Sequence, residues 1–274
     1  MHTDKNPKQQ IESGNKWFID DHFSKQYARA GPRAVIEARW RVFESAISEY
    51  LKKLSSLEAQ NPTRILDAGC GDGINLLGLS QIVDRNRWNA EILGVDYNPL
   101  RIRRVTKFKH VSSVCESRLE SLPYPDGSFS IVICNQVLEH IPDESAALRE
   151  LRRVLSDGGL LIVGVPNEGC VLARLRNNVF QRMILRTTDH VNFHTEETLT
   201  RVLAGERFSA PKIIRTGFFM PHLVLQYGIS SFSAGRALLG FLGKVLPSQC
   251  AELMVIAEKS FATRQDDQNP VRIS

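Results

Sequence analysis

The chain has no CxxC pair, no internal repeat, no low-complexity tract and no apolar run long enough to cross a bilayer undiluted. Its five cysteines, Cys70, Cys115, Cys134, Cys170 and Cys250, are odd in number, and three fall in or beside apolar runs. That pattern excludes a disulfide-stapled miniprotein and fits reduced, buried thiols in a cytoplasmic protein. The uncharged stretch nearest to spanning length, Phe218 to Gly235, is diluted by His222, Gln226, three serines and two glycines, so it falls short of a transmembrane helix. Met1 to Pro7 is polar where an export signal would need an apolar stretch. A strong charge bias is missing too: 35 Lys and Arg stand against 30 Asp and Glu, a net +5. The densest basic run, Arg101, Arg103, Arg104, Lys107 and Lys109, reads as a solvated helix face.

What is present is an ordinary globular composition, 42% hydrophobic and 24% charged over 274 residues, enough for one large α/β domain with additions or for two small ones. Val35, Ala38, Val42, Ala46, Tyr50, Leu51 and Leu54 recur at helical steps and predict a long amphipathic helix ending near Asn61-Pro62. Gly31-Pro32 separates it from a shorter aromatic segment, Trp17 to Tyr27. From Arg64 the rhythm changes to short apolar runs, Ile65-Leu66, Glu91 to Val95, Val111 to Cys115, Ser130 to Cys134 and Leu160 to Val165, alternating with helical patterns. That alternation predicts a parallel sheet covered on both faces. Gly158-Gly159 is expected to close the helix that begins after Asp143; Thr195 caps another, and late strands are expected at Lys212 to Thr216 and Glu252 to Glu258.

The most informative segment is Arg64 to Asn75, an apolar strand ending in Asp67, then Gly69, Gly71 and Gly73, then a helix start. Glycines there allow a tight turn and a close ligand approach outside the carboxyl end of the first strand. A nicotinamide-type GxGxxG would need glycine where Ile74 stands. Twenty-three residues past Gly73, the second strand ends in Asp96, a carboxylate placed to accept both hydroxyls of an adenosine ribose or else to cap the helix at Asn98-Pro99; Tyr97 can pack on the purine.

On Leu66 to Gly73, Gly94-Val95-Asp96, Leu122 to Ser130 and Asn135 to Ile141, the chain resembles the class I S-adenosylmethionine-dependent methyltransferases of the small-molecule and quinone-biosynthesis branch, over about Arg64 to Val165. The resemblance implies an α/β, Rossmann-like, doubly wound seven-stranded sheet with its last strand antiparallel, N-terminal helices, and a helical insertion before the last strand. It implies S-adenosylmethionine as cofactor, held by Asp67, Ala68, Gly69, Cys70, Gly71, Gly73, Asn75, Asp96, Tyr97, Leu119, Asn135 and Gln136. Gly69 to Gly73 would wrap the methionine part, Asp67 would attract its ammonium, Asp96 would bind the ribose, and Asn135 and Gln136 would line the sulfonium by their backbone groups. One departure stands out: Arg118 occupies the position where the family often has an acid for the adenine amino group.

The expected division is an N-terminal helical extension or lid over 1–60, a cofactor-binding core over 61–216, an apolar insertion over 217–248 covering an acceptor pocket, a final core strand over 249–262 and a polar tail over 263–274. His140 is the first candidate for a base that deprotonates a hydroxyl acceptor, with a structural role as its rival. Asp189 to His194 borders the acceptor side in the family, making His190 and His194 weaker candidates. Those two lie four apart but precede a helix cap, and with no third ligand in view no metal is expected. Asn135-Gln136-Val137-Leu138 lacks the double proline of the nucleic-acid amine methyltransferases, so nucleic acid is disfavoured. The expectation is methylation, chiefly on oxygen, of a small-molecule, lipid-linked or saccharide acceptor; the alternative is a catalytically weak cofactor-binding pseudoenzyme or partner-activating subunit. Leu238, Leu239, Leu242, Val245 and Leu246 share one side of a helix in 218–246, with Arg236 and Lys244 near. That face is expected either to pack as core or to touch a membrane surface peripherally.

Overall fold

A computed structural model describes residues 16–54, 61–105, 107–178, 190–209 and 211–260. The first part of the expected lid, 1–15, and the expected tail, 263–274, lie outside the described residues, as does Asp189. In chain order come α1 (Lys16–Ile19), a π-helical turn (Phe23–Tyr27), α2 (Ala30–Leu54), β1 (Thr63–Ala68), α3 (Ile74–Asn86), β2 (Ala90–Asp96), α4 (Pro99–Arg104) and β3 (Val111–Glu116). They are followed by β4 (Phe129–Asn135), a 3-10 turn (Leu138–His140), α5 (Glu144–Val154), β5 (Leu155–Pro166), a helical stretch at 171–178 (α6) and α7 (Glu196–Gly205). β6 (Lys212–Thr216), α8 (Leu223–Ser230), α9 (Ser233–Val245) and β7 (Glu252–Glu258) complete the described chain.

The strands form one seven-stranded sheet ordered β3-β2-β1-β4-β5-β7-β6. The pairings from β3 through β5 are parallel, and β7 runs antiparallel to both β5 and β6. Successive residues of a strand face opposite sides, and here both sides are covered, which is why the strands read as continuous apolar runs. Leu66, Val132, Cys134, Leu161 and Val163 pack under α5 and α7. Ile65, Ile92, Ile131, Ile133 and Ile162 pack under α2 and α3, where Ile36, Trp40, Phe43, Ile47 and Tyr50 line the inner face of the long helix. Chain order reverses between β1, which leads outward to β2 and β3, and β4, which leads the other way. A crevice opens at the carboxyl ends of the strands at such a reversal.

The aromatic segment and the long helix are separate, as expected, but the division falls at 28–29. Gly31 and Pro32 lie inside the first turn of α2, where amide hydrogens have no helical partner and proline costs nothing. A Cβ on Gly31 would stand 2.0 Å from the Tyr227 carbonyl oxygen, so this glycine is what lets α8 dock on α2. Gly158-Gly159 does not end α5, which stops at Val154 and passes directly into β5. The pair instead makes a bulge: Phe129 faces Leu155 while Ile131 already faces Leu160, with Gly158 at φ 71°. Thr195 caps α7 through a capping box with Thr198.

Because β6 runs parallel to β5, it ends at the same edge of the sheet as the crevice. The 217–248 insertion therefore leaves the sheet beside the site. It consists of α8, packed on α2, and α9, packed on α8. Among the described residues, no helix is long and apolar enough to cross a membrane.

Candidate active site

β1 stops at Ala68 because the next residues adopt conformations no strand can hold: Gly69, Gly71 and Gly73 have φ of 87°, 52° and 87°. A Cβ on Gly69 would come within 2.3 Å of Val137, so the turn after β1 and the turn after β4 touch only because this residue has no side chain. The Gly69 and Cys70 amides both donate to the Val95 carbonyl, tying the turn to the end of β2. Gly71 donates at 2.8 Å to one Asp96 oxygen, and the Asn98 amide donates at 2.8 Å to the other. The helix cap is Asn98 and not Asp96, which braces the turn at Asn98 and faces the glycine turn.

Asp67 lies wholly buried beneath this turn, and neither of its oxygens has a hydrogen-bond partner among the described residues. Burial pushes its carboxyl up to about 8, the nearby Asp96 charge adds to the rise, and the Asn75 side chain opposes it from outside strict hydrogen-bond geometry. Burial also raises Asp96, against the pull of Arg101. A concave turn backed by buried carboxylates attracts a cation and repels phosphate. Burial and these two carboxylates push the Cys70 thiol up as well, so it is an inert wall of the turn.

At the outer edge, Tyr97 is exposed and meets Phe18 edge-on at 5.5 Å. Asn98 donates to the Phe18 carbonyl, the His22 amide donates to Asp72, and Arg104 donates to the carbonyls of Ile19 and Asp20. The segment from α1 through the π-turn is therefore clasped to the glycine turn, the end of β2 and α4. Arg101 also reaches the His22 ring at 2.7 Å, so two of the five basic residues expected to form a solvated face, Arg101 and Arg104, anchor this segment. Arg118 turns outward to Glu120 at 3.1 Å, while Leu119 is buried beside the crevice.

On the other side of the reversal, Gln136 takes a left-handed φ of 59° as the chain leaves β4. Its amide donates to the Gly164 carbonyl, and its side chain donates to Glu252, which also accepts from Arg39 at 2.8 Å. Asn135 is buried against Gly164, where a Cβ would fall 2.1 Å from Asn135 Oδ1. Next comes the 3-10 turn bearing Glu139 and His140. Sequence reading missed Glu139, which is 1% exposed and is pushed by burial up to about 8. Its backbone carbonyl accepts from the amides of Val191 and Asn192, and the Asn192 side chain donates to the carbonyls of Leu138 and Ile141. These bonds pin the 190–192 loop on the turn. As a result the His140 and His190 rings meet at 5.0 Å, inclined by 73°. His194 lies deeper, its Nε2 3.2 Å from Glu144 at the start of α5.

A methyltransferase-domain family matches residues 39–207, well over half of the chain. The chain belongs to that family. Over 192 residues the methyltransferase domain is 27% identical to 2-methyl-6-phytyl-1,4-hydroquinone methyltransferase of Synechocystis, a match covering 62% of this chain and 59% of that protein. Over 106 residues it is 37% identical to malonyl-[acyl-carrier protein] O-methyltransferase of Halorhodospira halophila, covering 37% of this chain and 34% of that protein. The chain thus spans less than two thirds of the length of these curated relatives. The crystal structure of the YcgJ protein from Bacillus subtilis matches with a TM-score of 0.52 at 18% identity, over 78% of this chain and 98% of that one, a likeness of fold alone.

Proposed function

We propose that the methyltransferase domain binds S-adenosylmethionine and transfers its methyl group to an oxygen of a small-molecule, lipid-linked or saccharide acceptor. The observation that carries this reading is Asp67: a buried carboxylate with no hydrogen-bond partner among the described residues, under a glycine turn whose concave side is bounded by Asp96. A cofactor with an ammonium, a sulfonium and no phosphate satisfies that site. Asp67 would draw the ammonium, the Gly69 to Gly73 turn would follow the methionine chain, Asp96 would accept from the ribose and Tyr97 would flank the purine. Asn135 and Gln136 would wall the sulfonium side, held there by Gly164 and Glu252.

When bound, the cofactor supplies a methyl carbon that forms a bond to the acceptor oxygen while the carbon–sulfur pair stays on sulfur. The chain's task is to hold oxygen, carbon and sulfur in line. The acceptor's hydroxyl proton must leave, and His140 or His190, side by side beyond the end of β4, can take it. Preference for an oxygen acceptor is supported by this imidazole pair and by the O-methyltransferase among the relatives. A lipid-linked acceptor is supported by the relative acting on a phytyl hydroquinone. It is also supported by the apolar side chains that α8 and α9 expose beside the crevice: Val224, Leu225, Phe232, Leu238, Phe241, Val245 and Leu246. The pseudoenzyme alternative is disfavoured by the family match, and Arg118 is half-exposed and paired with Glu120.

Calorimetric titration with S-adenosylmethionine and S-adenosylhomocysteine is expected to give saturable binding. Transfer of labelled methyl into lipid and metabolite extracts would then identify the acceptor. Absence of binding to the folded chain would overturn the reading.

A further inference from the structure

We propose that Glu139, His140 and His190 form a binding site for one divalent transition-metal cation, whose open positions take the acceptor hydroxyl. The second half of that statement rests on the methyl-transfer reading; the first does not.

The three side chains each offer one ligand atom, and these atoms all lie within 4.8 Å of one another. Metal bonds of about 2.0–2.2 Å place ligand atoms about 3–3.5 Å apart, so the widest pair must close by up to about 1.3–1.8 Å, within the reach of side-chain rotations. The frame around them is hydrogen-bonded without any cation. Glu139 and His140 sit on one 3-10 turn, and His190 is brought over it by the two backbone bonds from Val191 and Asn192 and by the Asn192 side chain.

Glu139 is the residue that calls for a cation. It is 1% exposed, its Oε2 has no hydrogen-bond partner among the described residues, and its Oε1 stands 4.0 Å from His140 Nε2, beyond hydrogen-bond reach. A carboxylate buried in that way costs free energy, which its own backbone amide and the Arg39 charge offset only in part. A cation between it and the two imidazoles would repay it. His140 stays 19% exposed at its side chain, leaving a route from solvent.

Two imidazoles and one carboxylate are a donor set suited to zinc, manganese, iron or cobalt in the divalent state, and three protein ligands leave room for an exchangeable oxygen. With the cation bound, His140 and His190 serve as ligands instead of as the base, and a hydroxyl bound there would lose its proton to water more readily than a free one, because the cation stabilises the oxyanion. The site lies four residues beyond Asn135, on the side of the crevice assigned to the sulfonium.

The test uses the full chain, stripped with a chelator and dialysed against Zn2+, Mn2+ or Co2+, with bound metal measured by elemental analysis and Co2+ also by its visible spectrum. Wild type is expected to retain about one cation per chain and to melt at a higher temperature with it; Glu139→Gln and His190→Ala should bind at least about tenfold more weakly. Should the buried Glu139 variant not fold, His190→Ala decides. Retention of no more metal by wild type than by His190→Ala overturns the site. S-adenosylhomocysteine titration of the same samples separates the two readings: metal without cofactor binding keeps the site and defeats the methyl-transfer reading, and cofactor without metal does the reverse.

Discussion

The crevice has two halves that are built differently. Around Gly69 to Gly73 and Asp96 the backbone does the work: glycines at positive φ, amides paired with carbonyls, and a carboxylate gripping two amides. Beyond β4 and β5 the side chains do it: Glu139, His140 and His190 are gathered from turns fifty residues apart, and α8 and α9 add a partly uncovered apolar surface. The first half suits a ligand that never varies. The second is a frame on which different acceptors can be accommodated by changing side chains, without disturbing the sheet.

The sharpest way to break this contrast is Gly69→Ala. The new Cβ would be strained at φ 87° and would strike Val137, so a loss of about 4 kcal/mol in unfolding free energy is expected, from left-handed strain together with overpacking. Denaturant titration measures it; an unchanged midpoint would show that the two turns do not depend on one another.

Asp67 supplies a pH signature. Its folded carboxyl sits near 8, above the unfolded value of about 3.9, so the folded chain binds this proton more tightly. Stability contributed by protonated Asp67 is whole below about pH 4 and is lost as the pH rises towards 8. Asp67→Asn escapes that loss. The stability of the variant relative to wild type should therefore climb by up to about 1.4 kcal/mol per pH unit across that window and level off above it. Melting curves from pH 5 to 8 that stay parallel would mean that Asp67 ionises without cost.

Asp96→Ala should weaken cofactor binding by about 1.5 to 3 kcal/mol, because a charged acceptor is withdrawn from buried hydroxyls, and should leave metal retention unchanged. Equal damage to both would merge the two halves into one cooperative unit. The smallest effect on folding is expected on α9, where Leu238 and Phe241 are 53% and 61% exposed while Leu239 is 7% exposed. Leu238→Asp and Phe241→Asp should change stability by less than about 0.5 kcal/mol yet reduce binding to anionic liposomes. Leu239→Asp should unfold the insertion. Liposome binding that survives the outer substitutions would take the membrane out of the account.

The sheet was legible because both of its faces are buried, so its strands read as apolar runs whatever surrounds them, and the antiparallel β7 fell on the apolar run at Glu252 to Glu258. The glycine turn and Asp96 were legible because their geometry is local. Gly158-Gly159 was misread as a helix end, since what it does depends on the pairing of β4 with β5; Gly31-Pro32 does mark the division between the aromatic segment and the long helix, two residues late, and its packing against the Tyr227 carbonyl could not be read locally. Glu139 was missed for the same reason. In Leu138-Glu139-His140 it resembles any acid in a loop, and only the bonds from Val191 and Asn192 bury it against His190. The apolar stripe of α9 was seen, but periodicity could not tell that Leu239 would be covered and Leu238 left bare.

The clasp of residues 16–27 has a consequence for timing. Asn98 caps α4 with its oxygen and holds the Phe18 carbonyl with its nitrogen, two residues from the carboxylate assigned to the ribose. Were a ligand to seat between Tyr97 and the glycine turn, the strap fastened at Asn98, Asp72 and Arg104 would border it, and a spent cofactor would leave no faster than those fastenings let go. The rhythm of turnover would then be set at the start of the chain, well away from the atoms that react.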